Sequence, residues 1–223
     1  MKQKLFELNQ WPVVELKSVT SPDGKRVYQT PSGEKYPSVT TILSARGDKS
    51  KLFEWRKRVG EQEANKITTQ AARRGTNVHA IAEKYMQGRA DFLEGQNPLA
   101  VSLFSDIKPI IDEHITKVYG NEMPLYSDTL RTAGRCDLFC QFQGSNGVVD
   151  FKTSTKPKRE EWIQNYFLQC TTYAMMIEER YGCVVPHIAV VIAVENDLPQ
   201  FFVKRTSEFR DEVVKAFVTE RAG

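Results

Sequence analysis

The chain has few of the residues that build zinc and disulfide frameworks: of 223 residues, four are cysteine and three are histidine. No C-x-x-C pair occurs, and the histidines complete no zinc-like spacing, which excludes a zinc ribbon or finger. Cys136, Cys140, Cys170 and Cys183 read instead as free thiols of a reducing compartment, mostly buried. No apolar run approaches the ~18 residues of a membrane span, so no membrane association is expected. The first residues, Met1-Lys2-Gln3-Lys4-Leu5-Phe6-Glu7, lack the apolar stretch of a secretory signal and the arginines of a transit peptide. The expectation is a cytoplasmic protein. No G-x-x-x-x-G-K-[ST] loop is present, which excludes a helicase motif of that type. Internal repeats, low-complexity tracts and long linkers are also absent.

What the chain does have is ordinary globular material, 40% apolar and 26% charged, enough for one well-cored domain or a core domain with a small appendage. The net charge of +3 and the pI near 8.6 are too mild to identify a polyanionic partner. The distribution says more. Lys49, Lys51, Arg56, Lys57 and Arg58 cluster, and Arg73-Arg74 follow, while acids gather at residues 91–94 and at Glu160-Glu161.

Periodicity and turn residues divide the chain. Residues 13–20 and 25–30, joined by Ser21-Pro22-Asp23-Gly24, predict a hairpin, and Pro31-Ser32-Gly33-Glu34 a second turn. Ser38 is placed to cap a short helix. Three helices are predicted from residue 51 to 85: one ending near Gly60, one over 61–72, and one starting after Gly75 with Thr76 as cap. A fourth runs over 98–119. Strands follow at 122–127, 131–142 and 147–152, then a long helix over 159–180. Strands at 187–194 and 200–204 and a closing helix over 207–221 complete the pattern. Three strands, a helix and another strand predict a mixed sheet covered by helices.

Chemistry concentrates in two stretches, Gly134-Arg135-Cys136-Asp137 and Val148-Val149-Asp150-Phe151-Lys152-Thr153-Ser154. Strand side chains alternate, so Asp150 and Lys152 point the same way. Carboxylates on neighbouring strands, Asp137 and Asp150, suit a magnesium ion with water sites left open. The carbonyl of Phe151 is a further ligand candidate, and Glu122 a ligand for a second ion or a contact to water. Lys152 is placed to orient the attacking water or offset developing charge. Taken alone, a D-x-K at a strand end is more often a surface ion pair; here it has company.

His79 lies in Arg73-Arg74-Gly75-Thr76-Asn77-Val78-His79. A lone histidine is usually satisfied by hydrogen bonding. The arginines and a helix start at Gly75 would make an anion-friendly spot that brings the ring to the metal, with Glu83 one turn on to orient it. Tyr166, Gln169 and Tyr173 share a helix face, either as a packing stripe or with functional roles. In the second case Gln169 bonds a phosphate or a lysine, and Tyr173 packs on a sugar or base. Trp55 among Arg56-Lys57-Arg58 reads equally as a solvated basic face or as a nucleic-acid groove.

Together these segments resemble the PD-(D/E)xK nuclease superfamily in its RecB-like exonuclease branch. The resemblance rests on Gly134–Asp137, Asp150-Phe151-Lys152-Thr153-Ser154, Gln169-x-x-x-Tyr173 and Arg74-Gly75-Thr76-x-x-His79. Tyr36-Pro37-Ser38-Val39-Thr40 and Trp55-Arg56-x-Arg58-x-Gly60 look like phage exonucleases related to the mitochondrial genome maintenance exonuclease. The resemblance spans roughly residues 36 to 195, with the motifs in the family's order. It implies an α/β fold with a restriction-endonuclease-like central mixed sheet flanked by helices, a helical N-terminal half and an N-terminal β-hairpin. One nuclease domain, 1–223, would divide into a hairpin region (1–45), a helical wall or arch (46–120), the core (121–205) and a closing helix (206–223).

The implied activity is Mg2+- or Mn2+-dependent hydrolysis from DNA ends, single-stranded ones, with one or two ions. The implied catalytic set is Asp137, Asp150, Lys152, His79, Gln169 and Tyr173, with Asp137, Asp150, the Phe151 carbonyl, His79 and Glu122 at the metal. Expected DNA contacts are Trp55, Arg56, Lys57, Arg58, Arg73, Arg74, Thr153, Ser154 and Lys156. Replication or recombination is the expected setting, with a strand-annealing or replication protein as a partner; a phage source would place the protein in the host cytoplasm. Some RecB-like relatives carry an iron–sulfur cluster on four spaced cysteines. Here no cysteine precedes the histidine motif, so no cluster is expected. The alternatives are a DNA-end or recombination-partner binding protein that keeps the fold without turnover, and an endonuclease of similar fold.

Overall fold

Strand alternation and two apolar helix faces sort this chain into a sheet with a helical layer on each side. The computed structural model describes residues 4–21, 24, 26–46 and 49–219. A two-residue strand β1 (Glu7–Leu8) precedes β2 (Lys17–Thr20), β3 (Arg26–Gln29) and β4 (Lys35–Pro37). Four helices follow: α1 (Val39–Ala45), α2 (Ser50–Val59), α3 (Glu61–Met86) and α4 (Pro98–His114). The meander β5 (Ile115–Ser127), β6 (Thr132–Phe142) and β7 (Ser145–Ser154) leads through α5 (Gln164–Tyr181) to β8 (His187–Val194) and β9 (Gln200–Arg205). A short α6 (Arg210–Val214), widening into a π-turn over Lys215–Thr219, closes the described chain.

The main sheet is six-stranded and mixed, in the order β1-β5-β6-β7-β8-β9. β5, β6 and β7 are antiparallel neighbours, β7 and β8 run parallel, and β9 returns antiparallel to β8. The parallel step requires a crossover, which α5 supplies. The hairpin expected near the start gains a third strand, β4, in a separate sheet ordered β2-β3-β4. Its turn closes through the Gly24 N–H donating to Ser21 O (2.8 Å), with Gly24 at φ +78°; Pro22 and Asp23 lie outside the described residues.

Buried side chains form a layer on each face of the main sheet. Under α5, α1 and α6 lie Val148, Phe139, Phe167, Ile177, Ile188 and Val213. Under α3 and α4 lie Val149, Phe151, Leu138, Ile81, Phe104 and Ile107. Val148 and Val149 are consecutive and enter opposite layers, as strand alternation demands. In α4 the buried Ala100, Leu103, Phe104, Ile107 and Ile111 form one helical stripe. Asn97 caps this helix, accepting from Leu99 N (3.0 Å) and Ala100 N (3.4 Å). Ser38 caps α1 by accepting from Thr41 N, as its position predicts.

Several boundaries differ from expectation. The fourth helix ends at His114, because Ile115 and Val118 are buried strand residues of β5 paired with Phe142 and Cys140. The long helix starts at Gln164 after a 3-10 turn over Glu160–Trp162. The closing helix is broken into shorter turns, and Arg221 lies outside the described residues. The largest difference is α3. No helix begins at Gly75; one helix of 26 residues runs through it. A glycine in a helix costs only about 1 kcal/mol relative to alanine, and the buried Val78, Ile81, Ala82, Tyr85 and Met86 offset that through packing. Thr76 is therefore no cap, and the anion-binding helix start inferred from Gly75 does not exist.

Candidate metal centre

The site lies where the sheet opens. Pairing of β6 with β7 runs from Phe142 against Ser145 to Leu138 against Val149 and stops. The next pair would be Asp137 with Asp150. Instead the Phe151 N–H donates to the Asp137 carboxylate Oδ2 (2.9 Å), so a side chain replaces the missing ladder bond. On the other side of β6, Asn121 faces Leu138 and Met123 faces Cys136, which puts Glu122 opposite Asp137. Glu122 sits at φ +48°, a left-handed conformation costly for a side-chain-bearing residue and a mark of functional sites. Around it, Asn121 Nδ2 donates to Glu83 O on α3 (2.9 Å) and Arg135 Nη1 to Glu122 O (3.2 Å).

His79 reaches this opening from α3. Its Nε2 is 2.6 Å from Phe151 O, while Nδ1 is 3.5 Å from Asp137 Oδ2 and 3.7 Å from Glu122 Oε1. One ligand atom each from His79, Glu122 and Asp137 lies within 4.8 Å of the others. Burial opposes charging of the ring, but the Asp137 and Glu122 carboxylates outweigh it and raise the imidazole to about 9. The ring is thus a cation when no ion shares the site. A cleft of about 470 Å³ lined by Gly75, Thr76, His79, Ala80, Glu83 and Glu122 leads to it.

Asp150 and Lys152 face α5, the opposite side of the strand from the Phe151 ring. Asp150 is 1% exposed. Its Oδ1 accepts from Gln169 Nε2 (2.9 Å), and its Oδ2 is paired with the Lys152 ammonium. This carboxyl is raised to about 6, because burial and the Asp137 charge outweigh the pull of Lys152. Lys152 is held above its ordinary value: Asp150 and Asp137 overcome a desolvation that works the other way. Its ammonium also lies 5.2 Å from the centre of the Tyr166 ring, a cation–π distance.

The donor set fits a hard divalent cation. Three carboxylates, one imidazole and the Phe151 carbonyl are mostly oxygen, as Mg2+ and Mn2+ prefer. Asp150 is not among the three groups that already converge within 4.8 Å; its charge nonetheless helps to raise His79.

Other expected roles are redistributed. Gln169 bonds Asp150 rather than a lysine or phosphate. Tyr173 is 3% exposed and packs on the backbone of Gly134, where a Cβ would stand 2.5 Å from its hydroxyl; it has no access to a sugar or base. Glu83 does not orient His79: Oε1 accepts from Gln87 Nε2 (3.2 Å), and the ring is fixed by Phe151 and the two carboxylates. Ser154 is buried and its Oγ donates to Lys156 O (2.6 Å). Arg74 is turned inward, pairing with Glu195 (2.6 Å) and donating to Thr153 Oγ1 (3.2 Å). Arg56 joins α2 to α3 through Glu61 and Asn65. Lys57, Arg58, Arg73 and Lys156 are exposed and Trp55 is half-buried. Two contributors were not assigned in advance. Tyr166 was legible only as part of the α5 stripe, and Glu195, following β8, carried no signal because its partner is 121 residues away.

No family model matches the chain. Over 175 residues it is 27% identical to mitochondrial genome maintenance exonuclease 1 of Homo sapiens, covering 73% of this chain and 50% of that protein. The Mus musculus protein of the same name is 26% identical over 175 residues, covering 73% and 51%. The chain thus spans about half the length of the curated relatives it matches. Among solved structures, a Eubacterium rectale chain provisionally named an exonuclease superposes with a TM-score of 0.48 at 11% identity, covering 67% of this chain and 65% of that one.

Proposed function

We propose that this chain is a metal-dependent deoxyribonuclease that removes nucleotides from DNA ends, single-stranded ones, in replication or recombination. The observation that carries this reading is the convergence of His79, Glu122 and Asp137 beside the buried Asp150–Lys152 pair. The similarity to proteins named as exonucleases points the same way.

When bound, Mg2+ or Mn2+ supplies charge neutralisation at the phosphate and acidifies a water. Asp137, Glu122, Asp150, the Phe151 carbonyl and neutral His79 would hold it. Asp137 is kept in place by the Phe151 N–H and Asp150 by Gln169. His79 would have to give up its extra proton to serve as a ligand. Lys152 remains an ammonium beside the carboxylates, where charge develops on the phosphate in the transition state. Lys57, Arg58, Arg73 and Lys156 are free at the surface for backbone phosphates, which carry no base information. Trp55, half-buried beside them, is the aromatic candidate for stacking on a base.

The test is incubation of end-labelled linear and circular single-stranded DNA with the protein in Mg2+ or in EDTA. Loss of label from linear DNA alone, and only with metal, is expected. Tight binding without product would return the reading to a non-catalytic end-binding protein; cleavage of circles would make it an endonuclease.

A further inference from the structure

Arg74 and His79 anchor the same helix to the same strand. The Arg74 guanidinium, 11% exposed, pairs through Nη1 with Glu195 Oε1 (2.6 Å) and through Nε with Thr153 Oγ1 (3.2 Å). Glu195 follows β8 directly, and its N–H donates to Ser154 O (2.9 Å), so the pair bridges α3 to the ends of both parallel strands. Five residues along α3, about 7.5 Å of helix rise, His79 docks on Phe151 O. Phe151 and Thr153 are two residues apart on β7, about 6.6 Å. The two anchor spacings agree to within about 1 Å.

We propose that Arg74, Glu195 and Thr153 form a positioning clamp that sets where the His79 ring stands over β7. A partly buried ion pair contributes modest net stability but fixes geometry. Geometry is what this helix needs: sliding α3 by one residue rise, about 1.5 Å, far exceeds the ~0.2 Å tolerance of a metal ligand. A Cβ built at Gly75, between the anchors, would stand 3.9 Å from Thr153 Oγ1, an ordinary contact, so helix and strand are close here without depending on the glycine. The consequence for metal uptake rests on His79 being a ligand, as proposed above; the clamp itself does not.

The experiment uses the full chain with histidine 15N-labelled. In metal-free protein, the His79 Nε2–H bonded to Phe151 should give an exchange-protected proton signal. Glu195→Gln and Arg74→Lys should weaken or abolish that protection with the far-ultraviolet spectrum unchanged, and calorimetry should show the Mn2+ half-saturation point rising about tenfold. Thr153→Val, which removes only the neutral arm, should produce a smaller shift in the same direction and serves if either charged variant fails to fold. An unaltered ring signal in folded variants overturns the clamp, whether or not the melting temperature falls. If the wild type takes up no Mn2+ while Glu195→Gln still disturbs the ring, the metal reading fails and the clamp stands.

Discussion

The imidazole of His79 is docked on the main-chain oxygen of Phe151, 2.6 Å away, between two residues, Asp150 and Lys152, whose side chains leave the strand on its other face. A single residue of β7 thereby connects the α3 side of the sheet, with its exposed cleft, to the buried pair under α5. Five consequences can be measured.

Metal-free stability should fall as pH rises, in two separable steps. Asp150 is raised to about 6 from an unfolded value near 3.9. Its stabilising contribution is complete below the unfolded value and is lost as pH climbs through about 6. His79 is raised to about 9 from about 6.5, so its contribution is complete below 6.5 and lost through 9. In EDTA, the melting-temperature difference between wild type and Asp150→Asn should change between pH 4 and 6. The difference from His79→Gln should change between pH 6.5 and 9. Parallel curves would contradict the assignment.

Adding Mn2+ at pH 7 should stabilise the wild type by several degrees and His79→Gln much less, because binding to the native state alone raises the melting point. Equal shifts in scanning calorimetry would remove His79 from the ligand set.

Asp150→Asn and Lys152→Ala should each lower turnover by about 100-fold or more, the scale seen when a group facing developing charge is lost. DNA binding, measured by anisotropy in Ca2+, should stay within about threefold. Equal loss of binding and turnover would make the pair structural.

The two glycines of the motifs should respond oppositely to alanine. At Gly134 the new Cβ meets the Tyr173 hydroxyl at 2.5 Å, an overpacking that costs about 1–3 kcal/mol. At Gly75 the nearest atom is 3.9 Å away and the residue is helical, so alanine should stabilise by roughly 0.5–1 kcal/mol. Denaturant midpoints decide, and a stable Gly134→Ala would dismiss the Tyr173 contact.

The basic cluster on α2 should split in function. Arg58 is exposed and Arg56 is tied to Glu61 and Asn65. Arg58→Ala should lower the slope of log K against log salt by about one, as one lost phosphate contact does. Arg56→Ala should leave that slope unchanged and loosen the α2–α3 corner instead, seen as faster amide exchange there.

How much of this was legible in the sequence follows the range of each signal. Alternation placed Asp150 and Lys152 together, and the order of strands and helices predicted the mixed sheet, because both are local. The positions of Asp137 and Glu122 were found as residue types, but the ladder break that brings them together is a property of three strands at once. Gly75 and Thr76 look like a helix start within a window of a few residues; the packing of Val78, Ile81 and Tyr85 overrides them. Arg74 read as a phosphate contact because its acid, Glu195, is far along the chain. Tyr173 and Gln169 stand out in the sequence as polar residues on a helix stripe; one closes against a glycine and the other steadies a carboxylate.

The unbroken length of α3 matters beyond the residues it carries. Twenty-six residues make a rod about 39 Å long, joined to α2 at one end and bearing the imidazole nearer the other. With no loop between Gly60 and His79, a displacement of the α2 corner would be carried along the helix past Arg74 towards the ring.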